Sequence, residues 1–278
     1  MAGMLYLVPT PIGNLGDVSE RAREILETVD FIAAEDTRVT LKLLNHLGIR
    51  KSLVSYYEHN KAFSGDRIVE RILAGETCAQ VSDAGSPAIS DPGEDLVKQC
   101  VAAGIRVCAI PGPCAAITAL SISGQSTGRF CFEGFLSTAK KSRREHLESL
   151  KKESRTMIFY EAPHKLSATL QDLLEAFGPD RPISLCRELT KLHEEVIRTD
   201  LQGAVTYYEE NAPKGEFVLI RAGAPEEKEE AASPQDAAAR VAALIAGGLS
   251  RKDAVKQAAQ ELGLPKNTVY EAALKLEP

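Results

Sequence analysis

Three turns rich in glycine and proline carry the densest chemical signal in the chain: PTPIGNLGD (Pro9–Asp17), SDAGSPAISDPG (Ser82–Gly93) and PGPCAA (Pro111–Ala116). Glycine lets backbone approach a bound molecule with no Cβ in the way, and in α/β folds ligands lie at the carboxyl ends of strands. Each turn follows a run that reads as a strand, so the three together imply one pocket. Strand termination accounts for any one turn alone. The second turn exceeds that need, packing Gly85, Ser86, Pro87, Ser90, Asp91, Pro92 and Gly93 into one short stretch. None contains G-x-x-x-x-G-K-[ST] or G-x-G-x-x-G, which argues against a P-loop NTPase and against a Rossmann dehydrogenase or methyltransferase.

Polar residues gather at the same strand ends: Glu35, Asp36 and Arg38; Glu161, His164 and Lys165; Arg187, Glu188 and Lys191. Such groups either move a proton and hold a charged ligand or simply pair with one another. The run Lys140–Arg155 carries seven basic and three acidic residues. It reads as a helix with Leu147 and Leu150 inward and its basic side chains toward solvent, either to track phosphates or as a solvated face.

The elements that position these residues follow from hydrophobic period. Short β-branched runs alternate with helical spacing up to about residue 223, the pattern of an α/β fold. Strands are predicted over Met4–Val8, Phe31–Ala34, Cys78–Ser82, Arg106–Ile110, Thr156–Tyr160, Ile183–Arg187 and Phe217–Arg221. Asp91-Pro92-Gly93-Glu94 predicts a helix start, with Asp91 as cap and the helix running to about Ala103. Leu166, Leu170, Leu173, Leu174 and Phe177 share one helix face that stops at Gly178. Residues 112–138 hold Gly112, Pro113, Gly124, Gly128 and Gly134 and read as a hinge. The division then gives an N-terminal α/β domain over 1–123 and a second over 124–223. The acidic stretch 224–235 reads as a tether, and 236–278 as two or three alanine-rich helices capped at Ser250 and Asn267. That last module suits nucleic-acid binding. With six basic and five acidic residues from Asp236 on, a capping or dimerising hairpin suits it equally.

The 278 residues carry a net charge of −6 and are 44% hydrophobic, so the chain is globular and is not a bulk nucleic-acid coat. No apolar run reaches the ~18 residues of a membrane span, and a cytoplasmic location is expected. The six cysteines form no C-x-x-C and the five histidines no H-E-x-x-H. Reduced structural thiols are therefore expected, and no metal.

Together with AEDTR (Ala34–Arg38), FYEAPHK (Phe159–Lys165) and CRELTKLHEE (Cys186–Glu195), the three turns resemble the tetrapyrrole methylase superfamily. Within it they are most similar to the branch that methylates a cytidine 2′-oxygen in small-subunit ribosomal RNA. The likeness spans about Leu5 to Gly223, and the C-terminal helices resemble that branch's appended module. The first turn departs from the G-x-G-P-G-D of tetrapyrrole-modifying relatives, which argues against a corrin or sirohaem substrate. The resemblance implies two α/β domains with a cleft between them, S-adenosylmethionine in that cleft, a homodimer, and small-subunit ribosomal RNA or the assembled subunit as partner. By position it implies Pro11, Asp83, Ala84, Gly85, Ala88, Cys114 and Ala115 at the cofactor, with Glu161 beside them.

Methyl transfer to a ribose hydroxyl demands alignment and a group that handles the hydroxyl proton, and it requires no metal. Lys191, or Glu188 with Arg187, is expected in that role. Asp36, Arg38 and His164 are expected to hold the target nucleotide, and Lys140, Lys141, Arg143 and Arg144 to meet RNA. Two other readings stand beside this one: a small-molecule methylase of the same fold, and a non-catalytic regulator that binds nucleic acid through its C-terminal helices.

Overall fold

Strand alternation builds the first half of the chain. The computed structural model describes residues 3–225 and 233–274, which fall into two units, Met1–Ala224 and Pro225–Pro278. The first unit opens with β1 (Met4–Leu7), α1 (Glu20–Thr28), β2 (Phe31–Ala34), α2 (Thr37–Leu47), β3 (Ser52–Ser55), α3 (Lys61–Leu73), β4 (Cys78–Val81), α4 (Gly93–Ala102) and β5 (Arg106–Ala109). The strands form a parallel sheet in the order β3-β2-β4-β1-β5. Ile32, Ala34, Ala79 and Val81 pack with Leu26 of α1 and Leu44 of α2. Phe31, Ala33 and Cys78 point the other way, onto Ile68 and Ile72 of α3 and Leu96 of α4. Because successive residues face opposite sides, a strand buried on both reads as one continuous apolar run. The parallel strands all end at one edge, and the three glycine–proline turns leave from it.

The unit continues with α5 (Ala115–Ser123), β6 (Phe130–Phe135), α6 (Lys140–Ser149), β7 (Thr156–Glu161), α7 (Pro163–Phe177), β8 (Pro182–Arg187), β9 (Glu195–Asp200), α8 (Leu201–Glu210) and β10 (Phe217–Arg221). Their sheet runs β6-β7-β10-β8-β9 and is mostly antiparallel. One face is covered by α7 and α8, through Leu166, Leu170 and Leu173 and through Leu201 and Ala204. The other takes α5, whose Ala116, Ala119 and Leu120 meet Ile158, Val218 and Ile220.

The stretch read as a hinge thus contains α5 and β6. Its glycines terminate or bend elements. Gly124 closes α5 at φ +80°, and Gly134, at φ +65°, follows a bulge at Glu133 where Phe132 pairs with Ile158 and Gly134 with Phe159. Each of the three strands absent from the sequence reading, β3, β6 and β9, lies at a sheet edge. An edge strand pairs on one side only and keeps exposed residues, so its apolar signal is weak. At α4, Pro92 occupies the cap position, and Asp91 accepts from the Gly93 N–H at 2.7 Å. All six cysteines are free thiols.

Arg221 is fully buried at the end of β10, its guanidinium 3.5 Å from the centre of the Phe177 ring, and among the described residues Nε and Nη2 have no hydrogen-bond partner. Burial, and then the neighbouring Arg181, pull its pKa down to about 9. A buried cation without a carboxylate costs stability. Arg221→Met is therefore expected to raise Tm by roughly 2–8 °C, a gain that calorimetry would detect. An unchanged or lower Tm would show that the cation is compensated.

The second unit contains α9 (Pro234–Ala246), α10 (Arg251–Glu261) and α11 (Lys266–Leu274) around a small core of Ala237, Val241, Ala254, Ala258 and Val269. Ser250 caps α10 by accepting from the Asp253 N–H at 3.2 Å. Asn267, expected as a cap, lies inside α11 because the helix begins one residue earlier, right after Pro265.

Candidate functional site

Direct bonds tie the three turns together. Thr10 and Gly85 exchange backbone hydrogen bonds in both directions at 3.0 Å. The Thr10 hydroxyl also donates to the Ser82 carbonyl at 3.0 Å, and the Ser86 hydroxyl to that of Pro113 at 2.9 Å. Gly85 sits at φ +84°, and a Cβ there would stand 3.3 Å from the Ile12 side chain. Ala88 and Ser90 hold left-handed φ of +66° and +61° in the same turn. Such strain at non-glycine residues concentrates where a loop is shaped for a ligand.

Helix α5 carries the third turn onto the second sheet. Its first turn is held by the Tyr160 hydroxyl, which accepts from the Ala116 N–H at 3.1 Å. Its last carbonyls accept from Ser184, at 2.8 Å, and from the Arg198 guanidinium. A cation at a helix C-terminus also meets the negative end of the dipole.

A cavity of about 560 Å³ opens where these parts meet, within the usual size of ligand sites. Ile12 contributes from the first turn, Asp83, Ala84, Gly85 and Asp91 from the second, Cys114 and Ala115 from the third, and Phe135, Tyr160, Glu161 and Phe217 from the second sheet. Among the described residues, five in the lining are carboxylates (Glu35, Asp83, Asp91, Glu161 and Glu216), and none is lysine, arginine or histidine. Burial first, and then repulsion from Asp83, raises the Glu35 pKa. Burial likewise raises that of Asp83. Asp91 Oδ2 is buried with no donor among the described residues. The buried Glu161 accepts from the Ala162 N–H at 2.8 Å and the Thr169 hydroxyl at 2.6 Å. Negative charge concentrated in a partly desolvated cavity selects a cationic ligand.

Of the residues expected at a cofactor, Asp83, Ala84, Gly85, Cys114, Ala115 and Glu161 line this cavity. In place of Pro11 and Ala88, their neighbours Ile12 and Ile89 do so. Ser86, Ser90, Phe135 and Glu216 also line it. The first two lie within a motif already visible in the sequence, whereas nothing local marks Phe135 or Glu216.

The expected proton-handling residues stand beside the cavity. Lys191 Nζ donates to Glu188 at 2.8 Å and to Glu216 at 2.7 Å. Burial opposes its charge, but these two hydrogen bonds outweigh burial and hold the ammonium above its ordinary pKa. The bond from Lys191 is also the main cause that lowers Glu188. A lysine so held is a fixed cation and a poor base. Glu188 and Thr190 take φ of +52° and +66° in this loop. The loop presses on the first turn so closely that a Cβ at Gly13 would lie 2.4 Å from Lys191. Arg187 pairs with Glu195 at 3.0 Å and does not line the 560 Å³ cavity.

Asp36 caps α2 and binds Arg38 at 2.6 Å, which lowers the Asp36 pKa to about 2. Its N–H donates to Asp83 at 2.9 Å, so the pair braces the cavity wall without lining it. His164 is exposed in the first turn of α7. In α6, Lys140, Lys141 and Arg144 are exposed, and Arg144 reaches Glu175 at 2.8 Å. Arg143, expected toward solvent, is drawn onto α7, where its side chain, 15% exposed, binds the buried Asp172 at 2.5 Å. The described residues contain no cluster of metal-ligating side chains.

Comparison with known proteins accords with this geometry. The tetrapyrrole (corrin/porphyrin) methylase family matches residues 4–205, and the RsmI C-terminal HTH domain matches residues 231–277. A Synechocystis sp. protein named ribosomal RNA small subunit methyltransferase I is 50% identical over 99% of both chains. A Halalkalibacterium halodurans protein of the same name is 50% identical over 96% of this chain and 93% of its own. In fold, the chain resembles uroporphyrin-III C-methyltransferase from Thermus thermophilus, a structure complexed with S-adenosyl homocysteine. The TM-score is 0.56 at 15% identity, over 78% of this chain and 97% of that one. The family match over most of the chain, and the near-complete coverage of relatives at this identity, show that the chain belongs to the tetrapyrrole methylase family.

Proposed function

We propose that this chain methylates the ribose 2′-oxygen of a cytidine in small-subunit ribosomal RNA, with S-adenosylmethionine as donor. The observation that carries the reading is the cavity where the three turns converge, with five carboxylates and no cation in its lining. S-adenosylmethionine fits that donor set, because a sulfonium and an ammonium outweigh its single carboxylate. Asp83, Gly85, Asp91, Cys114 and Ala115 would hold it, the unpartnered Asp91 Oδ2 taking a donor. When bound, it supplies an electrophilic methyl group for in-line displacement. The ribosomal substrate is supported by the names of the full-length relatives.

This chain's own residues align the hydroxyl and stabilise charge. Lys191, held as an ammonium between Glu188 and Glu216, would place a cation at the rim where charge develops on the hydroxyl oxygen. The hydroxyl proton leaves to solvent water as the O–CH3 bond replaces the S–CH3 bond and S-adenosylhomocysteine departs. Glu216 lines the cavity and carries that cation to it. The protein acts as a homodimer. Support comes from the open edge of β6, where Phe130 and Phe132 are 39% and 36% exposed, an arrangement that invites a second copy. It works in the cytoplasm, where subunits are made and where free thiols such as its six persist.

Titration calorimetry with S-adenosylmethionine, followed by transfer assays on small subunits, free ribosomal RNA and a free tetrapyrrole, tests the proposal. Binding, and a methylated cytidine ribose in the RNA, are expected. Transfer to the tetrapyrrole alone would overturn the reading.

Glu35→Gln is expected to weaken cofactor binding about ten-fold while slightly raising Tm. The Glu35 pKa is raised on folding, so the ionised carboxylate destabilises the fold above that pKa, and the penalty fades as pH falls through it. Cofactor affinity runs the opposite way, falling as pH drops through the raised pKa. Calorimetry across pH 4–8 with both proteins checks it: an affinity independent of pH and of Glu35 would refute the electrostatic account.

A further inference from the structure

A second cavity, of about 280 Å³, is lined by Arg187, Glu195, Tyr207, Tyr208, Asn211 and Lys214. It is separate from the site above yet adjoins it. Phe217 lines the first cavity and meets the Tyr208 ring edge-on, with centroids 5.7 Å apart. On β8, Cys186 lines the first cavity and Arg187 the second, since successive side chains face opposite sides of a sheet.

The two cavities differ in charge. The first has no cation in its lining and repels phosphate. The second offers Lys214, exposed and without an ionic partner among the described residues, and Arg187, whose bond to Glu195 runs through Nε. Tyr207, 38% exposed, offers an aromatic surface, and its ring packs edge-on to Tyr208 at 4.9 Å. The Tyr208 hydroxyl is buried with no partner among the described residues. Asn211 is anchored by donating to the Tyr207 carbonyl at 2.9 Å. The loop that carries Lys214 is braced on the ion cluster of the first site, because Gly215, at φ +81°, lies so close to Glu188 that a Cβ would stand 2.4 Å away. Cations beside an aromatic ring, in a groove next to a reaction site, are how single-stranded nucleic acid is held: phosphate on the cations, base on the ring.

We propose that this second cavity binds one unpaired nucleotide of the substrate RNA, neighbouring the nucleotide presented to the first cavity. The inference rests on the ribosomal RNA reading above and adds to it a place where the strand is gripped. Tyr207 stacks the base, while Lys214 and Arg187 take the phosphate.

The test titrates a fluorescein-labelled cytidine hexaribonucleotide into the full chain, reads anisotropy at several salt concentrations, and measures S-adenosylmethionine binding by calorimetry alongside. Tyr207→Ala is expected to weaken RNA binding about ten-fold, and Tyr207→Phe to restore it to within about two-fold. Lys214→Ala should weaken binding several-fold and reduce the slope of log affinity against log salt by about 0.7, the signature of one lost phosphate contact on a single strand. Cofactor affinity should stay within about two-fold of wild type in all three variants. Lys214 is exposed, so its variant tests the proposal even if Tyr207→Ala unfolds. Wild-type hexamer affinity and an unchanged salt slope in Lys214→Ala, joined by wild-type affinity in Tyr207→Ala where that variant folds, would overturn the second site and leave the ribosomal RNA reading standing. Failure of the wild-type chain both to bind the hexamer and to methylate ribosomal RNA would overturn that reading and this inference with it.

Discussion

Lys191→Ala is expected to lower the single-turnover rate of ribose methylation by about 10²–10³-fold, the usual cost of removing one preorganised charge from a developing oxyanion. The reason lies in protonation state. Hydrogen bonds to Glu188 and Glu216 hold the ammonium above its ordinary pKa despite burial, and the bond from Lys191 holds Glu188 below its own. Both groups stay ionised at neutral pH. Lys191 can therefore stabilise an alkoxide but has no free lone pair with which to take a proton. Lys191→Arg keeps the charge and should recover part of the rate, whereas a general base would gain nothing from arginine. The alanine variant also leaves Glu188 and Glu216 facing each other without their cation, so its melting curve is needed to separate slow chemistry from lost fold. A rate within a few-fold of wild type in a folded Lys191→Ala protein would remove Lys191 from the reaction.

Arg143→Ala is expected to destabilise the first unit by about 3–5 kcal/mol, because removing one partner of a buried ion pair strands the other charge. Its partner Asp172 is 9% exposed, and the second cation nearby, Arg144, lies 3.9 Å away and is already bound to Glu175. At roughly 2–4 °C per kcal/mol for a unit of this size, the fall in Tm should exceed about 6 °C. Lys140→Ala and Lys141→Ala, on exposed positions of the same helix, should each change stability by no more than about 0.5 kcal/mol. The contrast separates two roles within one basic run, since Arg143 fastens α6 to α7 while Lys140 and Lys141 stay at the surface. An unchanged Tm in Arg143→Ala, measured by calorimetry, would mean that the pair contributes nothing to folding.

Much of the architecture was legible because its cause is local. Strands such as Phe31–Ala34 and Phe217–Arg221 are buried on both faces, so their residue types alone announce them. Helix α7 shows itself through leucines at helical spacing and through the glycine after Phe177. The glycine–proline turns announced the 560 Å³ cavity they line, because backbone that bends sharply at the ends of strands leaves a compositional trace. Edge strands β3, β6 and β9 left little trace, since half of their pairing and much of their burial is absent.

The amino-acid sequence by itself determined the family, the α/β class, the three turns and six of the residues that line the 560 Å³ cavity, each a matter of short-range composition and order. Only the tertiary structure decided which charges meet. It sent Arg143 to Asp172, clasped Lys191 between Glu188 and Glu216, turned Arg187 away from the first cavity, and set Glu216 and Phe135 into its wall. The partners in these contacts lie 3 to 29 residues apart along the chain, and the nearest, Glu188 and Lys191, meet only through a left-handed turn at Glu188. Coulomb energy depends on separation in space and on how much water is excluded, and folding alone sets both.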